Sequence, residues 1–198
     1  MIIGIDIDDV ISDTYEKLFN YAQKYTIEEL KKPGKISNEN SKTHKYVKSM
    51  HEWNDEEEMK FWDEYYEEIM KEVTPKTFAV ETIKKLSEDN KIILITARWE
   101  NSRNNIARIT RNWLKENNVV YDELVFDSQD KGEVAKKYNI DLFIDDSFKN
   151  CSDVSSKGIK TFIMDTRFNK AYDDEKIKRV YSWPHIYQEY QNTMKGEI

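Results

Sequence analysis

Short apolar runs separated by longer amphipathic stretches set the plan of this chain. Residues 1–5 are apolar and rich in Ile, the pattern of a strand buried on both faces. Similar runs recur at 91–95, 124–126, 142–144 and 161–164, and residues 179–181 predict one more strand at an edge. A helical period marks the intervals. It places Tyr15, Leu18, Phe19 and Ala22 on one face of 14–25, and Trp62, Tyr65, Tyr66, Ile69 and Val73 on one face of a block at 51–73. Further helices are predicted at 78–86, 101–117, 131–138 and 148–156, with a short final one at 185–190. Pro33-Gly34 breaks the chain ahead of a polar, irregular stretch at 35–43, and Thr74-Pro75 ends the long block.

Alternation of strand and helix predicts an α/β fold, a Rossmann-like three-layer arrangement around a parallel sheet. About sixty residues, 15–74, lie between the first and second strands. A whole strand–helix–strand unit needs only about 30 residues. The excess predicts a helical cap inserted after the first strand, with 1–14 and 75–198 forming the core.

Composition narrows the function. The 198 residues are 35% charged with a net charge of −7, which argues against a nucleic-acid polymer as partner because that needs a basic face. A small phosphorylated substrate remains compatible, since a metal and one or two cations meet its charge locally. The single cysteine, Cys151, forms no disulfide within the chain, and no apolar run is long enough to span a bilayer. A cytoplasmic protein without membrane contact is expected. His44, His51 and His185 have no spacing that suggests a metal site.

The candidate chemistry sits where the strands end. Asp6 and Asp8 leave the first strand on one face, because strand side chains alternate. Charges at the end of a buried strand are costly unless they bind a cation or react, and ligands of open α/β sheets bind at that end. Thr96 follows the second strand, Lys131 lies between the third and fourth, and Asp145-Asp146 ends the fourth. Each has an ordinary reading when taken singly: Asp6, Asp8 and Asp9 as strand terminators and caps, Thr96 as an N-cap, Asp145-Asp146 as a cap ahead of Phe148. As an oxygen-only set, the carboxylates suit Mg²⁺. Arg98 is placed to grip phosphate with its fork, or to pair with Asp146 or Glu100. The cap aromatics Trp53 and Phe61 are candidates for stacking on a base, while Trp62 and Tyr65 fit helix packing.

The order Asp-x-Asp, Thr, Lys, Asp-Asp, each beside a strand, resembles the haloacid dehalogenase-like phosphohydrolases over residues 1–165. Within them, GIDIDDVISDT, LITAR and FIDDS look like the bacterial nucleotidases related to 5'(3')-deoxyribonucleotidases. The resemblance implies a phosphomonoesterase with Asp6 as nucleophile, Asp8 as general acid and base, and Lys131 as the charge that neutralises the transferring group. Asp rather than Ala at position 8 is the phosphatase pattern. Thr96, Ala97 and Arg98 would hold the phosphate. Mg²⁺ would take a carboxylate oxygen from Asp6, the backbone carbonyl of Asp8 and a carboxylate oxygen from Asp145, with Asp146 acting through water or holding Lys131. Ala97-Arg98 and Asp9 depart from the better-known deoxyribonucleotidases beside the substrate pocket, without removing a chemical role. The expected activity is that of a 5'-nucleotidase on (deoxy)nucleoside monophosphates. The alternatives are a phosphatase of another small metabolite such as a sugar phosphate, a receiver-like domain, or a non-catalytic binding protein. Receivers carry their Asp after the third strand and lack so long an insertion, and the intact residue set disfavours a non-catalytic role.

Overall fold

The computed structural model describes residues 1–36, 47–101 and 105–196. Six strands, β1 (Ile2–Ile5), β2 (Lys91–Ile95), β3 (Glu123–Val125), β4 (Leu142–Asp145), β5 (Lys160–Met164) and β6 (Ile177–Val180), form one sheet. Its order is β3-β2-β1-β4-β5-β6, and every pairing is parallel. The helices are α1 (Thr14–Lys24), α2 (Val47–His51), α3 (Asp55–Glu72), α4 (Ala79–Ser87), α5 (Ile106–Glu116), α6 (Lys131–Lys137), α7 (Phe148–Ser156) and α8 (Trp183–Lys195). A π-helical turn, Tyr25–Glu29, continues α1.

The central strands read as continuous apolar runs because both their faces are covered. Ile92 and Leu94 join the larger hydrophobic cluster, whereas Ile93 and Ile95 join a smaller one with Ala135, Ile140, Phe143 and Val154. Register then sets the site. Ile5 lies opposite both Leu94 and Ile144, so the residues that follow β1 and β2 emerge at one edge together with the last residue of β4.

The four helical elements α1, the π turn, α2 and α3 lie between β1 and β2. The chain enters and leaves this insertion side by side. Asp13 donates its backbone N–H to the Thr74 carbonyl at 2.9 Å, and Lys76 donates to Ile11 at 2.7 Å. Lys76 also pairs with Asp13 at 2.9 Å. The insertion shares one apolar cluster with the sheet, running from Ile3, Ile5 and Ile144 to Tyr25, Phe61 and Ile69. No helix among the described residues is long and apolar enough to cross a membrane.

Three expectations change. The helix expected over 51–73 starts only at Asp55, because α2 ends at His51, Glu52 takes a left-handed conformation (φ 55°) and Asn54 opens α3 with a reciprocal capping box to Glu57. The helix expected from 101 starts at Ile106, after Asn105 in the left-handed region (φ 53°). The final helix, expected over 185–190, runs from Trp183 to Lys195, with Ser182 as its cap and Pro184 in its first turn. Residues 37–43 of the polar stretch, His44 and residues 102–104 lie outside the described residues.

Candidate active site

β1 delivers Asp6 and then turns sharply. The Asp6 N–H still donates to the Ile144 carbonyl at 2.9 Å, which extends the β1–β4 pairing through Asp6. The Ile7 carbonyl next accepts from the backbone N–H groups of Ile11 and Ser12, both at 3.0 Å, and from the Ser12 hydroxyl at 2.9 Å. Asp9 sits at φ 61°, a left-handed conformation that Asp tolerates better than most side chains. Its carboxylate accepts the Tyr15 N–H at 3.0 Å and so caps α1. The capping role therefore belongs to Asp9, and Asp6 and Asp8 point to other partners.

Lys131 opens α6, behind the N-cap Asp130. Its buried Nζ donates to the Asp6 carboxylate and, at 2.7 Å, to Asp145 Oδ2. Lys131 thus holds Asp6 and Asp145 together. Burial opposes its charge, but Asp145 and Asp6 outweigh that and hold its pKa above the ordinary lysine value. Asp145 also accepts the Ser147 N–H at 2.7 Å and the Asn150 side-chain amide at 3.1 Å. Ser147 is the N-cap of α7, so that role falls to neither Asp145 nor Asp146.

Asp6, Asp145 and Asp146 are all buried, and each brings a carboxylate oxygen to within 4.8 Å of the others. Burial pushes the Asp6 carboxyl up to about 8; Lys131 opposes this, and Asp145, Asp8 and Asp146 add to it. One lysine among these acidic groups leaves surplus negative charge in a dry place. An oxygen-only donor set with such a surplus fits a hard divalent cation of the Mg²⁺ kind. The Asp8 carboxylate is not among the clustered oxygens.

Asn169 fixes the Asp146 backbone. Its amide donates to the Asp146 carbonyl at 2.8 Å and the Met164 carbonyl at 2.7 Å, while its oxygen accepts from Arg179 at 2.6 Å. Asn150 and Asn169 were not apparent as site residues in the sequence, since polar residues in helices and loops are common. Asn169→Ala removes both donors to buried carbonyls, and a loss of about 1–3 kcal/mol in unfolding free energy is expected by urea denaturation.

Thr96 is buried at the end of β2. Its hydroxyl accepts the Arg98 N–H at 3.2 Å, and its carbonyl accepts from Ser128 at 3.0 Å. It does not cap α5, which starts only at Ile106. Ala97 is exposed beside it, its carbonyl taken by Gln129 at 3.0 Å. Arg98 takes Asp8 and not Glu100 as its partner. Its Nε and Nη2 grip the two Asp8 oxygens at 2.9 and 2.6 Å, while Glu100 pairs with Arg111. The fork expected on phosphate is turned onto Asp8.

Trp53 and Phe61 correct the expectation of a base-stacking surface. Phe61 is wholly buried and Trp53 is 5% exposed. Their rings pack on each other and on Tyr25, with His51 stacked on Trp53. The indole N–H donates to Thr26 at 2.9 Å. Both side chains hold the inserted helices together. Phe61→Ala is accordingly expected to lower unfolding free energy by about 3–5 kcal/mol in thermal or urea denaturation.

The sequence matches the profile of the family described as 5' nucleotidase, deoxy (pyrimidine), cytosolic type C protein over residues 1–193. A nucleotidase of Clostridium acetobutylicum is 29% identical over 187 residues, covering 93% of this chain and 91% of that protein. Among solved structures, a β-phosphoglucomutase of Clostridium difficile superposes with a TM-score of 0.65 at 20% identity, covering 100% of this chain and 98% of the other. The HAD-hydrolase YfnB of Bacillus subtilis, solved bound to magnesium, superposes with a TM-score of 0.60 at 13% identity over 95% of this chain and 97% of the other. At these identities the structural likeness shows a shared fold.

Proposed function

Because the chain belongs to the family of 5' nucleotidase, deoxy (pyrimidine), cytosolic type C proteins, we propose that it hydrolyses (deoxy)nucleoside 5'-monophosphates through a covalent phosphoryl intermediate on Asp6. It is a phosphohydrolase of the haloacid dehalogenase type, and the proposal concerns its substrate and its mechanism. The observation that carries it is Lys131, bridging Asp6 and Asp145 at neighbouring strand ends.

A carboxylate oxygen of Asp6 attacks phosphorus, and the bond to the sugar oxygen breaks. Asp8 gives the departing oxygen its proton, then takes one from the water that attacks the phosphoenzyme. Inorganic phosphate leaves and Asp6 is regenerated. Lys131 offsets negative charge on Asp6 and on the transferring group. The Thr96 hydroxyl and the backbone at Ala97 receive the other phosphate oxygens at the end of β2. Asp6, Asp145 and Asp146 would hold Mg²⁺, with the Asp8 carbonyl as a further contact. When bound, Mg²⁺ supplies positive charge that keeps Asp6 ionised and balances the phosphate. Residues 15–74 would act as the cap that selects the substrate; the paired stem at Ile11–Asp13 and Thr74–Lys76 supports that division.

A panel of nucleoside monophosphates, sugar phosphates and p-nitrophenyl phosphate tests the proposal. Nucleotides are expected to turn over fastest, with activity lost in EDTA and restored by Mg²⁺. Faster hydrolysis of sugar phosphates than of every nucleotide would replace the nucleotidase reading with that of another metabolite phosphatase. Full activity in chelator would remove the metal from the mechanism.

A further inference from the structure

The geometry points to Arg98 as the residue that positions Asp8, and not as a clamp on the substrate phosphate. The inference rests on the reading of Asp8 as the acid–base group. Asp8 is the most exposed carboxylate among the acidic residues of the site, with a side chain 32% accessible. Arg98 fixes the rotation of that carboxylate from 90 residues away, through two parallel charge-assisted bonds to Oδ1 and Oδ2. A proton donor works only when held within reach of the leaving oxygen, so orientation of Asp8 bears directly on rate.

Arg98 is itself held. Its Nη1 donates to the Thr110 hydroxyl of α5 at 3.0 Å, and its Nη2 lies 3.6 Å from the Met70 sulfur of α3. Its side chain is only 7% accessible. Every nitrogen of the guanidinium thus meets a protein atom, and its Nε–Nη2 fork is spent on Asp8. The hydroxyl of Tyr66, on α3, lies beside Thr110 in the field of Arg98 and Asp8. Arg98 therefore stands at the seam between the inserted helix α3 and the core helix α5, and the position of the acid–base carboxylate is set by that seam as well as by β1. Lysine cannot reproduce a two-point grip on a carboxylate.

The test uses the full chain with Mg²⁺, a series of aryl phosphates of increasing leaving-group basicity, and inhibition by inorganic phosphate. For Arg98→Gln, kcat/KM is expected to fall by about 10²-fold for the most basic leaving group, and far less for p-nitrophenyl phosphate. The inhibition constant of phosphate should stay near the parent value. Asp8→Asn with Arg98→Gln should be no slower than Asp8→Asn alone, and Arg98→Lys should recover only part of the rate. Thr110→Val, which keeps the guanidinium but removes a support, should show a weaker loss with the same leaving-group trend, and it carries the comparison if Arg98→Gln does not fold. A uniform loss across the series, a large rise in the phosphate inhibition constant, or multiplying losses in the double variant would overturn the assignment. Failure of the parent enzyme to hydrolyse any of the esters would instead remove the phosphatase mechanism on which it rests.

Discussion

Replacing Asp6 by Asn should reduce hydrolysis of every phosphomonoester to the uncatalysed background while leaving the fold intact. Asn keeps the shape of the side chain and can still accept the Lys131 bond, so the packing at the end of β1 has no reason to change. It removes the carboxylate oxygen that the proposed mechanism uses as nucleophile. Loss of one buried negative charge from a crowded acidic cluster should leave thermal stability unchanged or slightly raised. Asp8→Asn is expected to behave differently. It should keep slow turnover, lower by about 10²–10⁴-fold for poor leaving groups, the usual range for a lost acid–base group. Steady-state rates and melting temperatures for the two variants separate the roles. Comparable residual rates in both would speak against Asp6 as nucleophile.

Lys131→Met should damage both stability and rate. The ammonium is buried between Asp6 and Asp145, and removing it leaves two buried carboxyl groups facing each other without the positive charge between them. Breaking a buried ion pair from one side costs about 3–5 kcal/mol, readable as a lowered urea midpoint. Removal of a fixed charge that meets the transferring group should also lower kcat by about 10²–10³-fold, as for other electrostatic contacts in dry sites. A variant as stable as the parent would mean that the two carboxylates are not both ionised beside Lys131. A variant as fast as the parent would mean that the lysine serves the fold alone.

The strands were legible because the central ones are buried on both faces, which writes them as unbroken apolar runs. Residues 91–95 bound β2 as the structure does. Helix limits were less legible, since local backbone events decide them. Asn105 and Glu52 adopt left-handed conformations that no hydrophobic period encodes. The Asn54–Glu57 capping box was readable in principle and marks the true start of α3. Within the site, Asp6, Asp145 and Lys131 could be picked out because strand ends are where an α/β sheet gathers ligands, and the structure brings these three together. The Arg98–Asp8 fork could not be read, since it joins residues 90 apart across β1 and β2. Nor could the fate of Trp53 and Phe61: aromatic residues give the same pattern whether they face a ligand or each other. Asn169 was hidden for a related reason, because its role comes only from where β5 and β6 end.

Trapping the intermediate tests the mechanism most directly. The Asp8→Asn enzyme, slowed in hydrolysis of a phosphoenzyme, is mixed with p-nitrophenyl phosphate and Mg²⁺, quenched in acid, digested and read by mass spectrometry. A covalent mechanism requires one phosphoryl group on the N-terminal peptide, localised to Asp6 and absent when Asp6 is Asn. Turnover with no phosphorylated peptide, or a phosphoryl group carried by Asp145 instead, would contradict it.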